Sequence, residues 1–266
     1  MATAPNDTNV AQLDVEDLRG KVRFMYDAVA RHPHDGHFHF EMGRALMERL
    51  GYPASDLDAV PAAALESFAG VGYFFDLAGL TAGDIVVDLG SGSGSDAFIA
   101  ARHVGASGRV IGVDMTDAQL EKATTLARTN GYANVEFRKG LIEALPCADG
   151  EATCVISNGV INLAPDKTQV FAEAARVLRP GGRFAFADIV TDVQLPENVT
   201  CNTTLWAACI GGASQRDEYR AQLERAGLRI VSARENVEYG FLSKSAQNAS
   251  REYGVKSVSF LAVKEG

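Results

Sequence analysis

A run of nine residues, Val86-Val-Asp-Leu-Gly-Ser-Gly-Ser-Gly94, constrains this chain more than any other: an apolar strand ends in an acid and passes into three alternating glycines. Glycine there permits turns that a Cβ forbids and lets a ligand come within contact distance of the main chain. Tight strand-to-helix turns also use glycine without binding anything, so the loop takes its meaning from the strands and helices downstream of it.

From Gly83 onward strand and helix alternate. Strands are expected over Ile85 to Leu89, Val110 to Asp114, Val135 to Arg138, Ala152 to Ser157 and Arg183 to Ile189, with intervening helices ending at Val104, Thr129 and Leu178. Thr116-x-x-Gln119 predicts a capping box, and Asp166 starts a further helix. After a helical insertion around Thr203 to Ala213 and a helix from Asp217 to Ala226, Leu228 to Ala233 and Ser257 to Val263 close the sheet as a final pair. The expected fold is a Rossmann-like α/β sheet, seven-stranded and mostly parallel, with helices on both faces and its ligand outside the carboxyl ends of the strands.

Spacing narrows the ligand. A dinucleotide loop requires G-x-G-x-x-G, but Ser95 stands where the third glycine would be. The D-x-G-x-G-x-G form, with Asp88 two residues ahead of Gly90, resembles the S-adenosylmethionine loop of Rossmann-like methyltransferases. That ligand carries no phosphates and has a zwitterionic amino-acid end, so an acid near the loop can meet its ammonium group. About 20 residues further on, Asp114 ends the second strand where a carboxylate accepts the ribose hydroxyls. Met115 comes next along the adenine face, Gly140-Leu141-Ile142 takes the adenine edge, and Asn158 ends the fourth strand. The resulting assignment to the cofactor is Asp88, Gly90, Ser91, Gly92, Gly94, Asp96, Asp114, Met115, Leu141, Ile142 and Asn158. Leu141 stands where many relatives carry an acid for the adenine amino group, which leaves that contact to backbone or to Glu143.

A net charge of -9 gives neither nucleic acid nor an anionic membrane its electrostatic footprint, so the expected partner is a small-molecule methyl acceptor. Met1 to Thr8 has no basic segment followed by an apolar one, and no stretch approaches a membrane span; a cytoplasmic location is expected. Cys147, Cys154, Cys201 and Cys209 form no C-x-x-C pair, which predicts reduced thiols rather than a zinc site or disulfide framework. Residues 1–80 are expected to form an N-terminal helical cap or lid, 81–190 the cofactor-binding core, and 191–266 a C-terminal part with substrate-side helices. Within the cap, helical spacing runs from Asp14 to Arg31 and again from Phe40 to Leu50, and Gly70 and Gly72 mark a flexible joint.

Further segments carry a closer resemblance. Asp88-Leu-Gly-Ser-Gly-Ser-Gly-Ser-Asp96, Gly112-Val-Asp-Met-Thr-Asp117, Ser157-Asn-Gly-Val-Ile-Asn-Leu-Ala-Pro-Asp-Lys167 and Leu205-Trp-Ala-Ala-Cys-Ile-Gly-Gly-Ala213 together resemble the arsenite S-adenosylmethionine methyltransferases, from about Leu77 to Ala226. The resemblance implies a substrate site in which cysteine thiolates hold As(III), a soft ion selected by soft ligands. Two of the three cysteines are replaced here, by Gly159 in the Ser-Asn-x segment and by Val71 between Gly70 and Gly72; Cys209 keeps its place. This leaves two substrate readings: arsenic or another soft nucleophile through a rearranged site, or a small organic acceptor in an apolar, roomier pocket. A binding protein that has lost catalysis is the alternative from another class. Candidate catalytic residues are Cys209 as soft ligand, Asn158 beside the reactive methyl, and His37 as base for an acceptor that must lose a proton. His37 lies in the cluster His32, His34, His37 and His39, read as a polar lid rather than a metal site.

Overall fold

The computed structural model describes residues 13–34, 38, 40–200, 206 and 211–266. Eight strands form one sheet: β1 (Ile85–Leu89), β2 (Arg109–Asp114), β3 (Val135–Lys139), β4 (Ala152–Asn158), β5 (Leu178–Thr191), β6 (Ser214–Gln215), β7 (Leu228–Glu235) and β8 (Lys256–Lys264). Seven lie in the order β3-β2-β1-β4-β5-β8-β7, and the two-residue β6 adds alongside β5. The first five are parallel, whereas β8 runs antiparallel to both β5 and β7. The expected seven strands therefore make the main path. The short β6 has too few residues to carry a periodic signal.

Side-chain alternation along these strands creates two buried layers. Val86, Val110, Cys154, Ile156, Ala185 and Ala187 face a layer completed by helix Ser95–Val104 and the N-terminal segment. Val87, Leu89, Ile111, Val113, Val155, Phe184 and Phe186 face the opposite layer, completed by helices Lys167–Val177 and Arg216–Arg225. Because both faces are covered, central strands read as continuous apolar runs. Among the described residues, no helix is long and apolar enough to cross a membrane.

The N-terminal segment is tied down by specific bonds. Asp14 caps helix Val15–Arg31 by accepting from the Asp17 amide, and Leu18, Val22 and Val29 are buried. Lys122, on helix Asp117–Thr129, donates to the Ala30 carbonyl at 3.3 Å and to the Ser67 hydroxyl at 2.7 Å. These bonds join both ends of the segment to the sheet layer beneath it.

Four local expectations need correction. Helical spacing from Phe40 to Leu50 yields a helix only over Arg44–Arg49, because Gly43 turns the chain with φ +86°. The capping box at Thr116 does not form. Gln119 instead accepts from the Ser93 hydroxyl at 2.5 Å and donates to the Tyr26 carbonyl, so tertiary partners outcompete the local cap. Gly70 and Gly72 are not a flexible joint: a Cβ at Gly70 would stand 2.5 Å from the Asn158 side chain, and one at Gly72 2.7 Å from Ala187. These glycines are small so that the segment can lie against the sheet edge. Helix Lys244–Tyr253, between β7 and β8, was not anticipated, although Ser243 caps it and Gly254 ends it in the left-handed region. The helical insertion around Thr203 to Ala213 falls mostly outside the described residues.

At the edge opposite the glycine loop, Asp84 draws the starts of β1, β4 and β5 together. It accepts from the Thr81 amide, the Thr153 hydroxyl and the Arg183 guanidinium at 2.6 to 2.8 Å. Burial alone would raise its pKa, but those donors together hold the carboxyl below its ordinary range. Its contribution to stability is therefore full above the unfolded value of about 4 and is lost as pH falls through the depressed folded value. Replacing Asp84 by Ala is expected to cost about 3 kcal/mol at neutral pH, the lower end for breaking a buried ion pair. Urea unfolding at neutral pH and near pH 3 checks this, with the difference between the two proteins shrinking at the lower pH.

Candidate functional site

The carboxyl ends of β1, β2 and β4 open into a cleft lined by Asp88, the glycine loop, Asp96, Asp114, Met115, Leu141, Ile142 and Asn158. The cleft is open to solvent on one side and lined by both apolar and polar groups. The sequence-derived cofactor residues are thus gathered in one place. Gly94, which starts helix Ser95–Val104, lies just behind the lining, beneath Phe98 and Phe137.

Backbone geometry explains the loop. Gly90, Gly92 and Gly94 have φ of 68°, 53° and 91°, a region that side chains rarely adopt. The Gly90 and Ser91 amides both bond to the Val113 carbonyl, so the turn folds back onto the end of β2. Asp114 then accepts from the Gly92 amide at 3.0 Å and from the Thr116 amide at 2.8 Å, fixing its carboxylate beside the loop. The Thr116 hydroxyl and the Met115 amide add to these donors.

Four carboxylates line this cleft, Glu143 and three aspartates, and the partners of the aspartates differ. Asp88 is 3% exposed, and its Oδ2 has no hydrogen-bond partner; the neighbouring Ser91 hydroxyl also lacks one. Burial, with Asp96 and Asp114 close by, pushes the Asp88 carboxyl well above its ordinary pKa. Burial raises Asp96 to about 6, against hydrogen bonds from Asn158 and Tyr52 that favour its charged form. Asp114 is raised by burial and held down by its backbone donors. Arg19 is the one cation lining the cleft among the described residues, and it faces Glu143 at 3.4 Å. A buried, acid-rich cavity repels phosphates and favours a cationic ligand.

Asn158 sits at the centre of a clamp. Its Oδ1 accepts from the Val71 amide at 2.7 Å and the Gly72 amide at 3.3 Å. Its Nδ2 donates towards the Tyr52 hydroxyl, the Gly72 carbonyl and Asp96 Oδ2 at 3.0 to 3.1 Å.

Val71 and Gly159, where the resemblance leads one to expect cysteines, are neighbours. Val71 is 1% exposed, and a Cβ on Gly159 would stand 3.1 Å from Val71 Cγ1. Neither residue lines the cleft. The expectation of a roomier apolar pocket is thereby corrected, because the valine side chain fills the space above the glycine. Cys209 and His37 lie outside the described residues, and His34 stands exposed 3.8 Å from Glu66. Cys147 and Cys154 are buried free thiols, with Cys154 pushed up to about 12 by burial.

Sequence reasoning expected an N-terminal cap but did not name the residues by which it lines the cleft. Arg19, Val22 and Tyr26 present one helical face to the cleft at i, i+3 and i+7, and Phe68 and Ala69 close another side. The helical stripe was visible. Its mixture of a charged and an aromatic residue with apolar ones was the available signal for a ligand-facing helix.

A methyltransferase-domain family model matches residues 80–227. Among curated proteins, the chain is 41% identical over 239 residues to an arsenite methyltransferase of Halobacterium salinarum, covering 85% of this chain and 61% of that protein. It is 40% identical over 164 residues to the human arsenite methyltransferase, covering 56% of this chain and 43% of the relative. It therefore spans between two fifths and three fifths of the length of these relatives. The crystal structure of an arsenic(III) S-adenosylmethionine methyltransferase from Chlamydomonas reinhardtii superposes with a TM-score of 0.64 at 32% identity, covering 85% of this chain and 75% of that one.

The unpartnered Asp88 carboxylate carries a direct cost. With a folded pKa above the unfolded one, folding takes up a proton and stability falls as pH rises between the two values. Asp88→Asn removes that titration and is expected to raise the stability of the ligand-free protein at neutral pH. The gain is about 1 kcal/mol, the low end for an unsatisfied buried group, because the amide is unpaired too. Thermal unfolding at neutral pH and near pH 4 tests this: the gain should vanish at the lower pH, and a loss at neutral pH would refute it.

Proposed function

This chain belongs to the methyltransferase-domain family, in its arsenite methyltransferase branch, and from that premise we propose that it transfers the methyl group of S-adenosylmethionine to a small acceptor. The observation that carries this reading is the Asp88 carboxylate, buried at the mouth of the glycine loop with an oxygen left without a partner. An ammonium group satisfies it. The pyrophosphate of a dinucleotide, brought against Asp88, Asp96 and Asp114, would not.

When bound, S-adenosylmethionine supplies a methyl group on a sulfonium, which is displaced in line and leaves a neutral thioether. The protein's tasks are alignment and exclusion of water, with no covalent intermediate. Asp88 and Asp96 receive the ammonium, the Gly90 to Gly94 backbone lets the methionyl end approach, and Asp114, at the end of β2, accepts the ribose hydroxyls. Met115, Leu141 and Ile142 provide the apolar seat for adenine. Asn158 holds the rim between the methionyl end and the acceptor.

For the acceptor, the contact between Val71 and Gly159 favours a small organic molecule over arsenite. Soft As(III) needs several thiolates, and two of the family's positions here hold hydrocarbon packed against backbone. In the organic reading His37 is the candidate base where the acceptor must lose a proton. The second reading, a soft nucleophile taken by Cys209, is supported by the overall likeness to arsenite methyltransferases. An inactive binding protein is disfavoured because the loop and its acids are intact.

Two measurements test this. Asp114→Asn is expected to weaken S-adenosylmethionine binding at least about tenfold by calorimetry, since each hydrogen bond to a charged group contributes about 1.5 to 3 kcal/mol; binding of NAD in preference would overturn the cofactor. Formation of S-adenosylhomocysteine with a panel of arsenite, selenite, thiols and phenols then separates the acceptors. Arsenite is expected to be a poor substrate of the parent, and Gly159→Cys alone to help little, because φ at that position is +71° and Val71 occupies the space. Val71→Cys combined with Gly159→Cys should tighten arsenite binding. Efficient turnover of arsenite by the parent, lost in Cys209→Ser, would reverse the preference.

A further inference from the structure

Tyr52 lies just past helix Arg44–Arg49, more than 30 residues ahead of the glycine loop, and is 4% exposed. Its ring is boxed edge-on by Phe68, Tyr73 and Phe75, with centroids 5.0 to 6.1 Å away. That packing leaves the hydroxyl little freedom, and it lies 2.8 Å from Asp96 Oδ1 and 3.4 Å from the Gly72 carbonyl.

The direction of every bond in this cluster can be worked out from the main chain. The Val71 and Gly72 amides can only donate, so the Asn158 oxygen must face them and its Nδ2 must face Tyr52 and Asp96. Nδ2 donates to the Tyr52 oxygen, so the single hydroxyl proton goes to the nearer acceptor, Asp96. Asp96 is thus held at one oxygen by Tyr52 and at the other by Asn158, while the carboxylate still lines the cleft.

We propose that Tyr52 is a positioning residue of the cofactor site, holding the Asp96 carboxylate and the Asn158 amide in the orientation that presents Asp96 to the cofactor's ammonium group. This rests on the reading of the cleft as an S-adenosylmethionine site. The other charged groups in the cleft near Asp96 are Asp88 and Asp114, at the ends of β1 and β2, and Tyr73 is a further titratable neighbour from the N-terminal segment. Burial raises Asp96 to about 6, and the Tyr52 and Asn158 hydrogen bonds oppose the rise. Losing the hydroxyl therefore moves Asp96 further up and leaves less of it ionised in mildly acidic solution.

Calorimetric titration of the full chain with S-adenosylmethionine and S-adenosylhomocysteine from about pH 5 to about pH 8 reads this directly. In the parent, affinity should rise with pH through about 6 as Asp96 ionises. Tyr52→Phe should displace that rise upward, binding about fivefold more weakly at pH 6 yet within about twofold at pH 8, as expected for weaker stabilisation of the charged carboxylate. Asp96→Asn should bind weakly, and adding Tyr52→Phe to it should shift its profile no further, because Tyr52 acts through Asp96. Replacing Tyr52 with difluorotyrosine, a stronger donor of the same shape, should move the rise downward, and this keeps the test decisive if the phenylalanine variant does not fold. A parent-like profile in Tyr52→Phe, or weakening by one constant factor at every pH, overturns the positioning role while leaving the cofactor reading intact. Failure of the parent to bind at any pH overturns the cofactor reading and this inference with it.

Discussion

The side-chain amide of Asn158 is the interaction on which the site most depends. A strand end in an open sheet exposes backbone groups that another segment must satisfy or leave to water. Here one amide accepts from two main-chain groups, the Val71 and Gly72 amides, and its two N–H groups hold Tyr52 and Asp96 beside the Gly72 carbonyl. The N-terminal segment, the end of β4 and the helix after the glycine loop are thereby registered against each other. The small residues at Gly70 and Gly72 are a consequence, since a Cβ at either would displace the side chains packed there.

Against that frame of hydrogen bonds stands an electrostatic cost. Asp88, Asp96 and Asp114 are all raised by burial, and Asp88 has an oxygen with no donor. A chain selected only for stability would not place three acids around one cavity. The cost is consistent with a ligand that brings positive charge, so the ligand-free protein holds its site in an under-satisfied state. Asp84, at the other edge of the sheet, shows the contrast: it is also buried, yet enough donors surround it to hold its carboxyl below the ordinary range.

Val71 and Gly159 lie 88 positions apart in the chain yet pack as a pair. Glycine leaves out the side chain at a positive φ, and the valine side chain lies over the space a Cβ would take. A cysteine placed at Gly159 alone therefore meets both backbone strain and an occupied site.

The sheet was legible because its strands are period-two or continuous apolar runs bounded by turn signals, and the cofactor-side residues were legible because they come directly after those strands. Asp114 and Asn158 each end a strand and Asp88 is the last residue but one of β1, so naming the strand located the acid or amide. The capping signals of helix Lys244–Tyr253 were also present, as Ser243 and Gly254, though its polar surface hid them. Local pattern failed at Gln119, whose best partners were Ser93 and Tyr26 rather than its own helix start. By itself, the sequence determined the order of strands and helices, the glycine loop and the chemical types gathered at one edge, because those depend on neighbours along the chain. Only the tertiary structure decided that Tyr52 meets Asp96, that Arg19 faces Glu143 and that Val71 covers Gly159. Such pairings depend on where a loosely patterned N-terminal segment comes to rest, and that is set by packing and hydrogen-bond satisfaction across distant residues, which no periodicity encodes.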